Sequence, residues 1–370
     1  MERDKLEIPA SLETIKSSYF DGISHIKNIE ISPKNKNFAY INDQFLIGKS
    51  NQNQEEFDII HFYNGQNEEE VIIPPFIKII RKNAFGSPAC QKIKRIIITE
   101  DSKLEIIEKY GLPDDIQKLF IPKNLKSLAS YNFYKLDEIL ISPENRFFSL
   151  IDNKCLIKKD EKTQNWETVI TLIRAKELTI SKNVKSINDC SMCSKIRVLN
   201  FEKNSICERI GSIQISHLEK LYIPENLNYI DDFTIQKFRK LSIIEISPKC
   251  KSFKLHDNKC LLRKSEGSDT FDELIFCFHN IVKLRVPSSV KKITNHAIGV
   301  CKKLTSLTFE ENSSLETIGT SSFEYCGNLK QIVFPRSLSK IGHGSFEGCS
   351  NIKYIQFNGE KIVFDQYSFL

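Results

Sequence analysis

The chain has 370 residues, with 53 Lys and Arg against 47 Asp and Glu, and hydrophobic residues make up 40% of it. This composition is typical of a folded protein and excludes a disordered one. The net charge of +6 is too small to indicate the basic face of a nucleic-acid-binding protein. No run of about 18 apolar residues is present, so we expect no membrane span.

One apolar pattern recurs along the chain, with apolar residues at relative positions 0, +3 and +5. Positions +3 and +5 have the same parity, so their side chains point to the same side of an extended strand. The pattern therefore predicts short parallel strands that stack in register, as in a leucine-rich repeat. Its ten copies begin at Ile26, Ile93, Ile116, Leu136, Ile196, Leu218, Leu241, Leu304, Leu329 and Ile352.

A second element precedes these strands and is clearest near the C-terminus. Ile318, Phe323 and Cys326 are repeated 23 residues later as Ile341, Phe346 and Cys349. A period of 23 residues lies within the 20–29 residues of leucine-rich repeats. We expect these side chains to fill the coil opposite the strand, on a short helical or 3₁₀ turn.

A longer period is superimposed on the coils. The segment that begins at Ile31 with the letters ISPKNKNF returns 110 residues later at Ile141, and again 105 residues later at Ile246. A polar turn and an apolar run follow each copy, which predicts a β-hairpin. We predict one solenoid over residues 1–370, with a hairpin insert after every three coils. The inserts are predicted at about 32–70, 142–174 and 247–280, and a fourth, incomplete one begins near 357.

The repeat resembles the BspA-like leucine-rich repeats of oral bacteria and of the surface antigens of protozoan parasites. Three stretches carry this resemblance, at residues 83–85, 286–294 and 321–342, and it extends over residues 6–370. The resemblance implies a leucine-rich-repeat solenoid and a non-catalytic role in binding or adhesion, often at a cell surface. It supplies no catalytic residue.

Residues that could carry chemistry are scattered. The seven His residues show no paired metal-ligand spacing, and Cys190 and Cys193 form a lone CxxC without a second pair. We therefore predict no catalytic residue, no metal and no cofactor. The eleven Cys residues cannot all pair within one chain, and most fall at apolar repeat positions, so we expect buried free thiols.

The predicted outer face of the strands offers one candidate site. Three consecutive coils place apolar residues at position +4, which would form a stripe because neighbouring strands lie about 4.8 Å apart. An exposed apolar patch rimmed by charge is typical of an interaction site. The alternative is that the first or the second hairpin insert folds over the stripe and buries it. The candidate protein-binding residues are Ile97, Phe120 and Leu140, the charged Arg95 and Lys118 at position +2, and Tyr222 at position +4 of a later coil.

Two functions remain open on the sequence, and a cryptic enzyme is a third, weaker reading. One is a surface adhesion protein, which the family resemblance favours. The other is an intracellular scaffold, which the free thiols and the absence of an apolar leader favour. Both predict a protein partner and no nucleic acid, and neither fixes the oligomeric state.

Overall fold

A computed structural model describes most of the chain as two compact units. The first comprises residues 1–175 with 189–193, and the second comprises residues 176–188 with 194–370. The lone CxxC motif falls outside the described residues, apart from the backbone of Cys190. The residues described are 2–21, 23, 25–65, 68–129, 135–151, 155–159, 166–172, 176–191, 196–211, 213 and 215–368.

Short β-strands dominate both units. Up to residue 172 the strands are β1 (Glu2–Ile8), β2 (His25–Ile31), β3 (Phe38–Ile41), β4 (Phe45–Gly48), β5 (Ile59–Tyr63), β6 (Glu70–Ile72), β7 (Ile79–Ile80), β8 (Arg95–Ile97), β9 (Ile106–Ile107), β10 (Lys118–Ile121), β11 (Ser127–Leu128), β12 (Glu138–Ile141), β13 (Phe148–Ile151), β14 (Cys155–Lys159) and β15 (Trp166–Leu172).

The remaining strands repeat the same order of long and short elements. They are β16 (Glu177–Ile180), β17 (Ser186–Ser191), β18 (Val198–Phe201), β19 (Arg209–Ile210), β20 (Lys220–Ile223), β21 (Tyr229–Ile230), β22 (Ile243–Ile246), β23 (Phe253–His256), β24 (Cys260–Arg263), β25 (Glu273–Cys277), β26 (Lys283–Val286), β27 (Lys292–Ile293), β28 (Ser306–Phe309), β29 (Thr317–Ile318), β30 (Gln331–Phe334), β31 (Lys340–Ile341), β32 (Tyr354–Phe357) and β33 (Val363–Phe364).

Each coil contributes one longer and one two-residue strand, and the two sets form separate parallel ladders. In the first unit the longer strands pair in the order β12-β10-β8-β6, which we call the long-strand ladder. The two-residue strands β7, β9 and β11 pair with β5 and with one another, and form the short-strand ladder. Ile96 and Leu119 on the first ladder and Ile80 and Ile107 on the second belong to one buried core. The chain within this unit is therefore a parallel β-solenoid.

The predicted inserts contain antiparallel strands that extend the short-strand ladder sideways. β3, β4 and β5 pair antiparallel in sequence order, and β5 then pairs parallel with β7. β23, β24, β25 and β27 repeat this arrangement in the second unit. In the first insert, Asp58 closes the turn between β4 and β5. Its carboxylate accepts a hydrogen bond from the N–H of Ser50 at 2.8 Å and another from the hydroxyl of Ser50 at 2.6 Å.

The predicted helical turns are present at only a few places in the described part of the chain. Two 3₁₀ helices cover Ser17–Phe20 and Pro88–Lys92, and one α-helix covers Asp232–Lys237. In the last coils the corresponding segments are turns, with φ of 50° at Ser321 and 57° at Tyr325. A residue with left-handed φ cannot continue a right-handed helix. The isoleucines before these turns have high strand propensity and pair across coils instead.

The structure also adds coils that the sequence pattern missed. Four long strands follow each insert along the chain, rather than the three predicted. The additional ones are β6, β16 and β26, each of which is the first long strand after an insert. β1 is a further long strand and pairs parallel with β2. In the coil of β6, Val71 and Ile73 occupy the apolar positions +3 and +5 of the repeat. Position 0 is the acidic Glu68 rather than an apolar residue, so the sequence pattern did not identify this copy.

Candidate protein-binding site

The long-strand ladder of the first unit carries a continuous row of outward apolar side chains. The strand register places Leu140 opposite Phe120 and Ile72 opposite Ile97. Lys118 is paired with Arg95, which sets Phe120 beside Ile97. We call these four residues the apolar stripe: Ile72, Ile97, Phe120 and Leu140. Ile72 is 61% exposed and Leu140 is 57% exposed, whereas Ile97 and Phe120 are half-buried.

A depression of about 290 Å³ lies within the stripe, between β8 and β10. Its lining is apolar except for three charged residues, and its deepest groups belong to the buried core. The lining residues are Ile97, Phe120 and Leu140 of the stripe, the buried Ile96, Ile98 and Leu119, and the charged Arg95, Lys118 and Glu138.

The depression arises where two neighbouring strands separate. β8 and β10 are paired at a single position, whereas β6 pairs with β8 at three positions and β10 pairs with β12 at four. The connector that follows β8 is longer than the one that follows β10. Eight residues lie between Ile98 and Ile107, and six lie between Ile121 and Leu128. The longer connector accompanies the divergence of β8 and β10 towards their C-terminal ends.

Charged side chains border the stripe on one side. Glu70 pairs with Arg95, and Lys118 Nζ lies 2.7 Å from Glu138 Oε2. All four side chains are substantially exposed, so these ion pairs add little stability. The two cations are neighbours at the centre of the border and the two carboxylates lie outside them. The centre of the border is therefore suited to an additional acidic group.

Five of the six predicted residues lie together in this site. The sixth, Tyr222, is on β20 in the second unit, directly opposite Glu245 in a ladder with polar outward neighbours. The sequence missed Ile72, although its signal was present in the Ile73-Pro74 pair, which matches the Ile121-Pro122 connector. We expected that the first or the second insert could cover the stripe. β3 and β4 of the first insert are hydrogen-bonded into the sheet of the short strands, and β13 and β14 of the second insert belong to the sheet that contains β17, β19 and β21.

Thiols and metal-binding side chains outside the stripe give no second candidate binding site among the residues that the structure describes. Eight cysteines whose side chains the structure describes are free thiols, six of them buried. No cluster of three or more His, Cys, Asp or Glu side chains in those ranges is arranged to hold a metal ion. Within the same ranges, no helix has the length and apolar character needed to cross a bilayer.

Two parallel ladders around an apolar core, built from repeats of about two dozen residues, define a leucine-rich-repeat solenoid protein. The chain belongs to the family of the BspA-type leucine-rich repeat region, whose model describes six copies of the repeat. The resemblance seen in the sequence is thereby confirmed. The model matches residues 2–53, 49–155, 171–259 and 269–370.

Several solved structures are similar to this chain at low sequence identity. A leucine-rich repeat protein from Eubacterium ventriosum is 17% identical, with a TM-score of 0.48 over 93% of this chain and 90% of that one. A leucine-rich cell surface protein from Faecalibacterium prausnitzii is 16% identical, with a TM-score of 0.41 over 87% and 93%. The pneumococcal vaccine antigen PcpA is 15% identical, with a TM-score of 0.42 over 90% and 86%. At this level of similarity, the solved structures do not indicate a function for this chain. A comparison with curated proteins finds no match.

Proposed function

We propose that this protein is a non-catalytic binding protein of the surface-adhesion type, and that it holds a protein partner on the apolar stripe. The observation that supports this proposal is the stripe itself. Its four apolar side chains lie in a row on the outer face of the long-strand ladder, the face directed away from the core. A depression opens between them. Contiguous exposed apolar surface with a charged rim is a common feature of interaction sites.

The spacing of the stripe favours a helical partner. Ile72 and Ile97 lie at the strand spacing of about 4.8 Å, as do Phe120 and Leu140, and the step from Ile97 to Phe120 is wider because β8 and β10 separate there. Successive turns of an α-helix are about 5.4 Å apart, whereas same-face residues of an extended strand are about 6.6–6.8 Å apart. A helix laid across the strands would match the stripe more closely than a strand would.

The charged border adds a second requirement for the partner. Arg95 and Lys118 stand side by side next to the depression, with Glu138 beyond them. A carboxylate on the partner would meet both cations and would complement their charge. The partner we propose is therefore an amphipathic helix with an apolar residue on each turn and Asp or Glu beside them.

The test is a selection of binders from a displayed library of helical peptides, using the full chain as bait. Leu140→Glu and Phe120→Glu should each weaken the selected peptides about 30-fold or more, as expected when a central anchor contact is lost. Leu140 is mostly exposed, so Leu140→Glu should leave the fold intact if Phe120→Glu does not. Titration calorimetry or fluorescence anisotropy would give the dissociation constants.

The matched control is Val333→Glu, at the same outward repeat position on β30 and 42% exposed. It should leave the affinity unchanged. Peptides that lose affinity equally with Val333→Glu and Leu140→Glu would contradict the assignment of the site. Selected peptides without acidic residues, or extended rather than helical ones, would contradict the proposed partner chemistry.

A second candidate function, an intracellular scaffold, is favoured by one observation. The eight cysteines whose side chains the structure describes are all unpaired thiols, which is typical of proteins in a reducing compartment. Digestion of intact cells with an added protease separates the two functions. A surface adhesion protein should be degraded, and an intracellular scaffold should be protected.

A further inference from the structure

Two cysteines face each other across the third insert. Cys260 on β24 and Cys277 on β25 are direct partners in the antiparallel register. The N–H of Phe278 donates to the carbonyl of Lys259 at 3.0 Å, whereas the N–H of Cys277 donates away from β24, to the carbonyl of Ala297 at 2.8 Å. Cys260 and Cys277 therefore form a non-hydrogen-bonded pair, in which Cα atoms are about 4.5 Å apart.

This distance suits a covalent bond between the two side chains. Disulfides join residues whose Cα atoms are about 4.4–6.8 Å apart. Directly opposite residues of an antiparallel pair also project their side chains to the same face of the sheet, so the two thiols are neighbours there. Both side chains are fully buried, at 0% and 1% exposure, and so have few other orientations.

The pair is peculiar to the third insert. The equivalent cross-strand positions hold Phe45 and Tyr63 in the first insert, and Cys155 and Leu172 in the second. In the first insert, the buried Phe45 and Tyr63 provide a packed apolar core at this position. Two facing thiols occupy it in the third insert, and they add a chemistry that the other two inserts lack.

We propose that Cys260 and Cys277 are a disulfide site, at which a small oxidised thiol such as glutathione disulfide cross-links the third insert. One cysteine thiolate attacks a sulfur of glutathione disulfide, forms a mixed disulfide and releases one glutathione thiolate. The second cysteine thiolate then attacks the protein sulfur of the mixed disulfide, forms the Cys260–Cys277 bond and releases the second glutathione. The two cysteines lose two electrons and two protons; glutathione disulfide takes up the electrons, and the two thiolates that it yields take up the protons.

Burial determines when the bond forms. Burial raises the pKa of the Cys277 thiol, so the reactive thiolate is scarce in the folded protein. Glutathione disulfide also cannot reach a side chain that is 1% exposed without opening of the insert. The bond should therefore form during folding in an oxidising compartment, and should form slowly if the reduced protein is already folded.

The bond would close a loop over residues 260–277, which contains the polar tip of the insert. Closing a loop of this size stabilises a protein chiefly by restricting the unfolded chain. The third insert would then be locked in an oxidising compartment and held only by packing in a reducing one. The site is independent of the apolar stripe, which lies in the first unit.

The test is to unfold the full chain in denaturant and refold it in a glutathione redox buffer, followed by non-reducing peptide mapping by mass spectrometry. We expect a Cys260–Cys277 cross-link as the dominant product, and a thermal midpoint several degrees above that of the protein refolded with reductant. Cys277→Ala and Cys260→Ala should each abolish the midpoint shift. Cys207→Ala, which removes a buried thiol with a backbone carbonyl as its hydrogen-bond partner, should retain it.

Three outcomes would overturn the proposal. Cys260 and Cys277 could be recovered as free thiols after refolding with excess glutathione disulfide. They could be recovered as separate mixed disulfides with glutathione, which would show that the pair cannot close. The dominant cross-link could instead join other cysteines, such as the Cys326 and Cys349 of neighbouring coils.

Discussion

Phe323→Ala should lower the free energy of unfolding by about 3–5 kcal/mol, the range for truncation of a buried aromatic side chain. Phe323 is fully buried in the second unit, and its ring stacks on Phe346 with centroids 4.9 Å apart and planes inclined by 7°. The substitution removes a ring that neighbouring coils share. Urea unfolding followed by circular dichroism would measure the change.

The control for this experiment is Asp269→Ala, at the exposed tip of the third insert. It should change the free energy of unfolding by less than about 0.5 kcal/mol. A loss below about 1 kcal/mol for Phe323→Ala would show that this column does not fill the coils. Loss of cooperativity without a loss of midpoint would show instead that the coils unfold independently.

Arg263→Ala should cost about 3–5 kcal/mol, because it breaks a buried ion pair and leaves a carboxylate without its main partner. Arg263 donates from Nε at 2.9 Å and from Nη2 at 2.6 Å to Glu273 Oε2, and from Nη1 at 3.1 Å to the carbonyl of Ile230. Its side chain is 9% exposed and that of Glu273 is 11% exposed. Asp232 lies 3.8 Å away and would lose the same cation.

The titration of Asp232 gives this prediction a second readout. Burial raises the pKa of Asp232, and the charge of Arg263 opposes that rise. Arg263→Ala should therefore raise the pKa of Asp232 further, which NMR titration of the carboxyl carbon can follow. A group whose pKa is higher in the folded state gains relative stability as pH falls, so the variant should recover part of its lost stability in mild acid.

The matched control is Arg197→Ala, whose Nη1 lies 2.8 Å from Glu219 Oε1 at the surface. The Arg197 side chain is 55% exposed, so solvent screens its pair and we expect a loss of about 0–1 kcal/mol. Equal losses for Arg263→Ala and Arg197→Ala would contradict the assignment of a buried ion pair. The same holds if Arg263→Ala leaves the pKa of Asp232 unchanged.

The sequence predicted the parts of the fold that depend on strict side-chain alternation. Leu119 and Ile121 are buried and Lys118 is exposed on β10, as the +3 and +5 positions require. The parallel pairing of these strands followed from the same pattern. Such elements are predictable because a one-residue shift of register would expose every apolar side chain of the strand.

The short-strand ladder could not be predicted in the same way. A two-residue strand such as Ile79–Ile80 carries too little pattern to be told from a turn, and its extended backbone is fixed by pairing with the neighbouring coil. The expectation of helical turns at these places was therefore mostly wrong. In the described part of the chain, the α-helix Asp232–Lys237 follows the short strand β21, so a helical turn and a short strand occur one after the other in that coil.

The candidate site was partly visible in the sequence. The positions of Ile97, Phe120 and Leu140 followed from the repeat, and the structure places them in one row. The depression did not follow from the repeat, because it depends on the divergence of β8 from β10. Ile72 was missed because an acidic residue at the start of its coil interrupts the pattern.

Photo-crosslinking tests the proposed binding surface most directly. A benzoylphenylalanine placed at position 140, where Leu140 is 57% exposed, should cross-link a selected helical peptide on illumination. The same probe at position 333, where Val333 is 42% exposed, should not. Equal cross-linking from both positions, or from position 333 alone, would show that the partner does not bind on the apolar stripe.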